Sequence, residues 1–179
     1  MRIAISGGIG SGKSTVARLL AERTGYEYVS GGVFFRQKAR ELGMTIEEFN
    51  EYAESHPEID MELDSDLLSF LRRSDDFVIE SRLVGWLCYR NGIDALKIFL
   101  EASRETRARR LASRERQSYQ EAFSDLVRRE ESELRRYRHL YGIDYMDSSF
   151  YDLVIDTENL SPEEVVNEVF SRLSKGYRC

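Results

Sequence analysis

The sequence predicts one α/β domain of three layers, with a five-stranded parallel sheet between two layers of helices. Two observations predict it. Five short apolar runs, at 2–6, 26–30, 77–80, 95–100 and 153–155, alternate with stretches whose apolar residues recur at helical spacing. The third and fourth, Phe77-Val78-Ile79-Glu80 and Ala95-Leu96-Lys97-Ile98-Phe99-Leu100, are nearly continuous in apolar character, as strands covered on both faces of a parallel sheet require.

The opening run, Arg2-Ile3-Ala4-Ile5-Ser6, leads through Gly7-Gly8-Ile9-Gly10-Ser11-Gly12-Lys13-Ser14-Thr15 into a helix over roughly 13–24. This is the pattern G-x-x-x-x-G-K-[ST] in the strand-to-helix context that gives it meaning. Its glycines let the backbone take positive φ and approach a polyphosphate, while successive amides and the helix N-terminus aim partial positive charge at it. Lys13 supplies an ammonium for the β and γ phosphates, and the Ser14 hydroxyl a ligand for the Mg²⁺ that bridges them. Thr15 is a second hydroxyl nearby. A glycine-rich cap of purely structural use does not account for strand, loop, Lys-Ser pair and helix together, so the loop reads as a nucleoside triphosphate site.

Gly25 ends the first helix, and Tyr26-Glu27-Tyr28-Val29-Ser30 forms the second strand, completing a β-α-β opening. Helical spacing over Gly31 to Leu42 is broken by Gly43. Thr45-x-x-Glu48 is a capping box that opens a helix to about Glu54, and Pro57 starts another through Arg73. Three helices with no strand between them read as an insertion off the sheet edge, a place where substrate is commonly held. The third strand ends on Glu80. After the fourth, Ser103 caps a helix to about Glu115, and a second capping box, Ser118-x-x-Glu121, opens a long helix to Tyr141, stopped by Gly142. Leu153-Val154-Ile155 is the fifth strand. Ser161-Pro162-Glu163-Glu164 then provides the N-cap, the first-turn proline and the N3 carboxylate of the last helix.

A length of 179 residues with 41% hydrophobic and 32% charged residues suits one globular core with insertions rather than two domains. No run approaches the ~18 to 20 apolar residues of a membrane span, and no secretory apolar segment follows Met1, so a cytoplasmic location is expected. Cys88 and Cys179 make neither a metal spacing nor a disulfide framework. The net charge of −6 argues against a general nucleic-acid or membrane surface. That charge is unevenly spread: residues 104–138 hold eleven arginines and seven acidic residues, a local +4 that leaves −10 elsewhere. With only four lysines in the chain, the cluster is specifically guanidinium, which binds phosphate in a planar, bidentate way that lysine cannot. A solvated helix laced with pairs such as Glu131–Arg135 accounts for any single arginine. The whole cluster, in a chain with a phosphate loop, points to phosphate recognition.

A protein that moves a phosphoryl group between two phosphate-bearing substrates must neutralise charge at both ends. Arg36 follows the second strand in Ser30-Gly31-Gly32-Val33-Phe34-Phe35-Arg36. Arg82 lies just beyond Glu80, at the carboxyl end of the third strand, where ligands of open α/β sheets bind. The arginine hairpin is the third such feature. Trp86, Phe34, Phe35, Tyr137 and Tyr141 can stack on a base, but at their spacing a core role is the simpler reading. His56 and His139 lack partners at catalytic spacing and read as surface residues.

Glu80-Ser81-Arg82, Lys97-Ile98-Phe99-Leu100-Glu101-Ala102-Ser103, Arg129-Glu130-Glu131-Ser132-Glu133-Leu134-Arg135-Arg136-Tyr137, Tyr141-Gly142-Ile143-Asp144 and Tyr151-Asp152-Leu153-Val154-Ile155-Asp156-Thr157 carry a resemblance over nearly the whole chain. The sequence resembles the cytidylate kinases, most closely those of the short archaeal type. The resemblance implies a P-loop NTPase fold with a core at 1–30, 74–103 and 142–179, a nucleoside-monophosphate-binding insertion at about 31–73 and an arginine-rich lid at about 104–141. It implies ATP as donor, Mg²⁺ as its ion and CMP, with dCMP as a further candidate, as acceptor.

By the same resemblance Arg36 and Arg82 would hold the acceptor phosphate, and Glu80 would act near the waters on Mg²⁺. Arg129 and Arg136 would reach the acceptor and the transferring phosphate beside Lys13. Glu133 stands where the family has an aspartate on the acceptor nucleoside. Arg109, Arg110 and Arg114 lie where family arginines approach the donor, with Arg110 and Arg114 the leading candidates. Asp60 and Asp64, one turn apart, either face cytosine or form a solvated acidic face, the latter being the simpler reading; Asp64 is carried as a substrate candidate. Expected partners are small-molecule nucleotides, with no nucleic acid and no membrane, acting on a monomer. Two other readings stay open: a kinase for AMP, UMP, shikimate or dephospho-coenzyme A, and an RNA-associated ATPase whose basic hairpin grips RNA.

Overall fold

The computed structural model of the chain describes residues 1–174, so Lys175 and Cys179 lie outside it. Its elements are β1 (Arg2–Gly7), α1 (Lys13–Thr24), β2 (Glu27–Ser30), α2 (Gly31–Glu41), α3 (Ile46–Ser55), α4 (Pro57–Arg73), β3 (Phe77–Glu80), α5 (Val84–Arg90), β4 (Leu96–Glu101), α6 (Arg104–Glu115), α7 (Tyr119–Tyr141), β5 (Leu153–Asp156) and α8 (Pro162–Ser174). All four strand pairings are parallel and the order is β2-β3-β1-β4-β5. The chain leaves β1 toward β2 and β3 on one side and later reaches β4 on the other. A crevice therefore opens at the carboxyl end of β1, which is where the glycine loop lies.

The local signals act as their chemistry requires. Thr45 and Ser118 each accept from the backbone amide three residues on, while Glu48 and Glu121 reach back to the amides of Thr45 and Ser118. Strand β5, at the sheet edge, buries Leu153 and Ile155 and exposes Val154 and Asp156. The sequence reading has no counterpart for α5. Val84-Gly85-Trp86-Leu87-Cys88 is buried throughout, so it lacks the polar face that marks a helix by contrast. Its glycine is demanded by packing, since a Cβ on Gly85 would stand 2.0 Å from the Tyr151 ring.

Two clusters cover the two faces of the sheet. Ile3, Ile5, Ile98 and Leu100 meet Val16 and Leu20 of α1 and Val165, Val166 and Val169 of α8. On the other face Ala4, Phe77 and Ile79 meet Leu67, Leu71, Leu83, Leu87 and Tyr137, from α4, α5 and α7 among others. A smaller cluster, Ala39, Phe49, Ala53 and Ile59, joins α2, α3 and α4. A further one joins Ile9 of the loop to α6 and α7. Among the described residues no helix is long and apolar enough to cross a membrane.

Candidate active site

Parallel pairing sets the floor of the site. Ile5 and Ser30 both stand opposite Glu80, so the carboxyl ends of β1, β2 and β3 bring one buried carboxylate beside the loop. Ser14 Oγ donates to Glu80 Oε1 at 3.1 Å, and Ser30 Oγ donates to the same oxygen. Gly10 and Gly12 take φ of 75° and 90°, the left-handed region that glycine alone enters at little cost, which lets the loop turn into the start of α1. Lys13 is buried, and its Nζ donates to the Gly8 carbonyl at 3.1 Å. Burial, with Arg82 adding to it, pushes the Lys13 ammonium down to about 7.

Arg82 turns from the end of β3 toward α7, where its Nε donates to Glu133 Oε2 at 2.8 Å. Burial opposes the charge of Glu133, but Arg82, Arg136 and Arg129 around it outweigh burial and hold its carboxyl below the usual range. Arg129 Nε is buried without a partner, as is Ser81 Oγ. Arg136 is enclosed by the inserted helices: Nε donates to Asp60 Oδ2 at 2.7 Å, and NH1 donates to Ser132 Oγ at 3.1 Å and to Asn50 Oδ1 at 3.3 Å. Tyr141 donates to Asp64 Oδ2 at 2.6 Å. Burial lifts the Asp64 carboxyl to about 7, with the neighbouring Asp60 adding to the effect.

One cavity collects Ile9, Gly10, Lys13, Ser14, Arg36, Asp64, Glu80, Arg82, Arg114, Arg129, Glu133 and Arg136, all singled out in the sequence, from α1, α2, α4, α6, α7, the glycine loop and the end of β3. Gly7, Gly8, Ser11 and Gly12 build the loop behind it, and Thr15 is an exposed residue of α1. Arg110 does not line this cavity. Its NH2 donates to the Thr157 carbonyl at 2.5 Å and its NH1 to Thr157 Oγ1 at 3.0 Å and the Ser11 carbonyl at 3.4 Å, on the outside of the loop. Arg109 is tied to Thr106 Oγ1 at 3.1 Å. Of the three donor candidates on α6, Arg114 alone lines the cavity.

Several other expectations need correction. Asp60 and Asp64 do not form a solvated acidic face, because α7 supplies Arg136 and Tyr141 as their partners. Arg135 pairs with Glu54 of α3 at 2.9 Å instead of with Glu131. His56 is half-buried, stacked on Tyr52 with ring centres 3.6 Å apart, while His139 is exposed as expected. Trp86 is core, Tyr137 is buried and lines the cavity, Phe35 lines it too, and Phe34 is exposed. Asn50, another lining residue, was missed: a lone asparagine on an amphipathic helix carries no motif.

Residues 2–159 match the model of the cytidylate kinase-like family. The chain is 47% identical over 175 residues to a cytidylate kinase of Thermoplasma acidophilum, covering 98% of this chain and 93% of that one. It is 39% identical to a cytidylate kinase of Sulfolobus acidocaldarius, covering 98% and 95%. Among solved structures, a shikimate kinase from Acinetobacter baumannii in complex with shikimate superposes with a TM-score of 0.61 at 18% identity, covering 99% of this chain and 95% of that one. The shikimate kinase of Aquifex aeolicus gives 0.59 at 19%, covering 97% and 96%. These two likenesses establish the P-loop kinase fold alone, whereas the match over residues 2–159 goes further: the chain belongs to the cytidylate kinase-like family.

Proposed function

We propose that the protein transfers the γ-phosphoryl group of ATP to CMP, and to dCMP more slowly, releasing ADP and the cytidine diphosphate. The observation that carries this reading is that the phosphate loop and a second set of cationic groups, Arg36, Arg82 and Arg129, line one cavity. Two phosphate-bearing ligands can thus meet there. The acceptor's identity follows the relatives named cytidylate kinase, since the shikimate kinases share no more than the fold.

In this reading the loop amides, Lys13 and Arg114 hold the donor. Arg110, on the outer side of the loop, steadies it from behind. Arg36, Arg82 and Arg129 hold the acceptor phosphate, Glu133 keeps Arg82 aimed and faces the acceptor nucleoside, and Asp64 with Tyr141 walls the base. Arg136 shapes that wall by fixing Asp60 and Asn50. The residues suit Mg²⁺: the Ser14 hydroxyl and the buried Glu80 carboxylate offer hard oxygen near the loop, the donor set of an ion that keeps phosphates and waters as most of its shell. Held by these residues, such an ion would supply positive charge to offset that of the donor phosphates.

No general base is needed, because a phosphate monoester with a second pKa of about 6 is already a nucleophile at neutral pH. The residues act by alignment and by holding charge on the phosphoryl group in transit, with water kept from the γ-phosphate. The insertion at 31–73 and the hairpin at 104–141 act as the acceptor-binding and lid units of a monomeric, cytoplasmic enzyme. Incubation with MgATP and CMP, with products separated by anion exchange, should yield ADP and CDP in equal amounts. ADP without CDP would mean hydrolysis and would end the transfer reading.

A further inference from the structure

Arg107 is 3% exposed and does not line the cavity, yet it is bonded to the phosphate loop. Its NH1 donates to the Ile9 carbonyl at 3.2 Å and its Nε to the Ala102 carbonyl at 3.1 Å. Its guanidinium also pairs with Glu130 of α7 at 2.7 Å, and Arg104 meets the same carboxylate at 2.7 Å. A loop that turns its amides inward to an anion turns carbonyls outward, and a buried carbonyl must find a donor. Two cations meet that need from outside the cavity, Arg107 at Ile9 and Arg110 at Ser11, while Lys13, which lines the cavity, meets the Gly8 carbonyl.

The fit is close enough to restrict the loop's composition. A Cβ on Gly8 would stand 2.7 Å from Arg107 NH1, and one on Gly10 would stand 2.5 Å from the Arg107 carbonyl oxygen. Gly10 is thus required by the α6 backbone, which lies against the loop, while at Gly8 the close neighbour is the end of the Arg107 side chain itself. The side chain of Ile9, 1% exposed, is packed among Ala108, Leu111, Ala122 and Leu126 of the hairpin. The loop is thus held from outside by a buried ion pair and an apolar socket.

We infer that Arg107 is a positioning residue for the donor: with Glu130 it keeps the Ile9 carbonyl turned outward, so that the loop's amides face the donor phosphates. This rests on the loop being the ATP site. The test is calorimetric titration of wild type, Arg107→Met and Arg107→Lys with a non-hydrolysable ATP analogue plus Mg²⁺, and separately with CMP, alongside ligand-free melting temperatures. Arg107→Met should weaken the analogue about tenfold while CMP affinity stays within about twofold. Arg107→Lys should show a smaller, analogue-specific loss, because one ammonium cannot serve Ile9, Ala102 and Glu130 in the fork geometry of a guanidinium. A lowered melting temperature with unchanged analogue affinity, or equal weakening of both ligands, would show a merely structural role and overturn the inference. If Arg107→Met does not fold, Arg107→Lys decides: analogue binding equal to wild type overturns the inference. Wild type that fails to bind the analogue would overturn the donor reading and this inference together.

Discussion

Arg82 and Glu133 show how single residues divide the work. A half-buried guanidinium facing a buried carboxylate is held in one direction, leaving its remaining N–H groups to face the cavity. Replacement Arg82→Ala should lower kcat by about 10³, roughly 4 kcal/mol in the barrier, the lower end of what such an arginine supplies, while calorimetry finds ATP binding nearly intact. Equal loss of both would refute the assigned role. Lys13 makes a pH prediction with a definite sign. Its pKa near 7 in the ligand-free protein must rise when phosphates surround it, so MgATP binding at pH 8 should take up close to one proton and binding at pH 6 almost none. Titration in buffers of different ionisation enthalpy measures this, and affinity should fall as pH rises above 7. For Asp64, whose folded pKa of about 7 lies above that of an unfolded carboxyl, stability is lost as pH rises from about 4 to 7. Asp64→Asn keeps an acceptor for Tyr141 and should therefore raise the melting temperature by a few degrees at pH 8 and leave it unchanged at pH 4.

At the scale of elements, legibility followed contrast. Helices α1, α3, α4, α7 and α8 announce themselves by caps and by polar against apolar faces, and the strands by compact apolar runs. Helix α5 does neither, its first five residues, Val84 to Cys88, being buried throughout. Its position is instead enforced by contact: Gly85→Ala drives a methyl into the Tyr151 ring and should cost roughly 1 to 3 kcal/mol, readable as a lower denaturation midpoint. The site was legible where a motif or a family match pointed to it, as at Lys13, Ser14, Glu80 and Arg82. Asn50, the Asp60–Arg136 clasp and the Arg107–Glu130 pair were not, because each depends on which helices lie across from one another.

Across the whole molecule, the uneven charge finds its use. An arginine-rich hairpin of local charge +4 is folded onto a body of −10: Arg107 and Arg136 are buried against Glu130 and Asp60 and Arg129 lines the cavity, while Arg104, Arg109, Arg116, Arg128, Arg135 and Arg138 stay exposed. The parallel sheet sets the phosphate loop beside Glu80 and Arg82, and α7 carries Arg129, Glu133 and Arg136 across to face them. The central claim is that this single cavity joins ATP to a cytidine monophosphate. The most direct measurement is kcat/KM with MgATP for a panel of CMP, dCMP, UMP, AMP and shikimate. On the proposed reading, in which Asp64 would face the 4-amino edge of cytosine rather than the 4-oxo edge of uracil, CMP should lead by at least about tenfold. Equal turnover of all acceptors, or none with CMP, would contradict it.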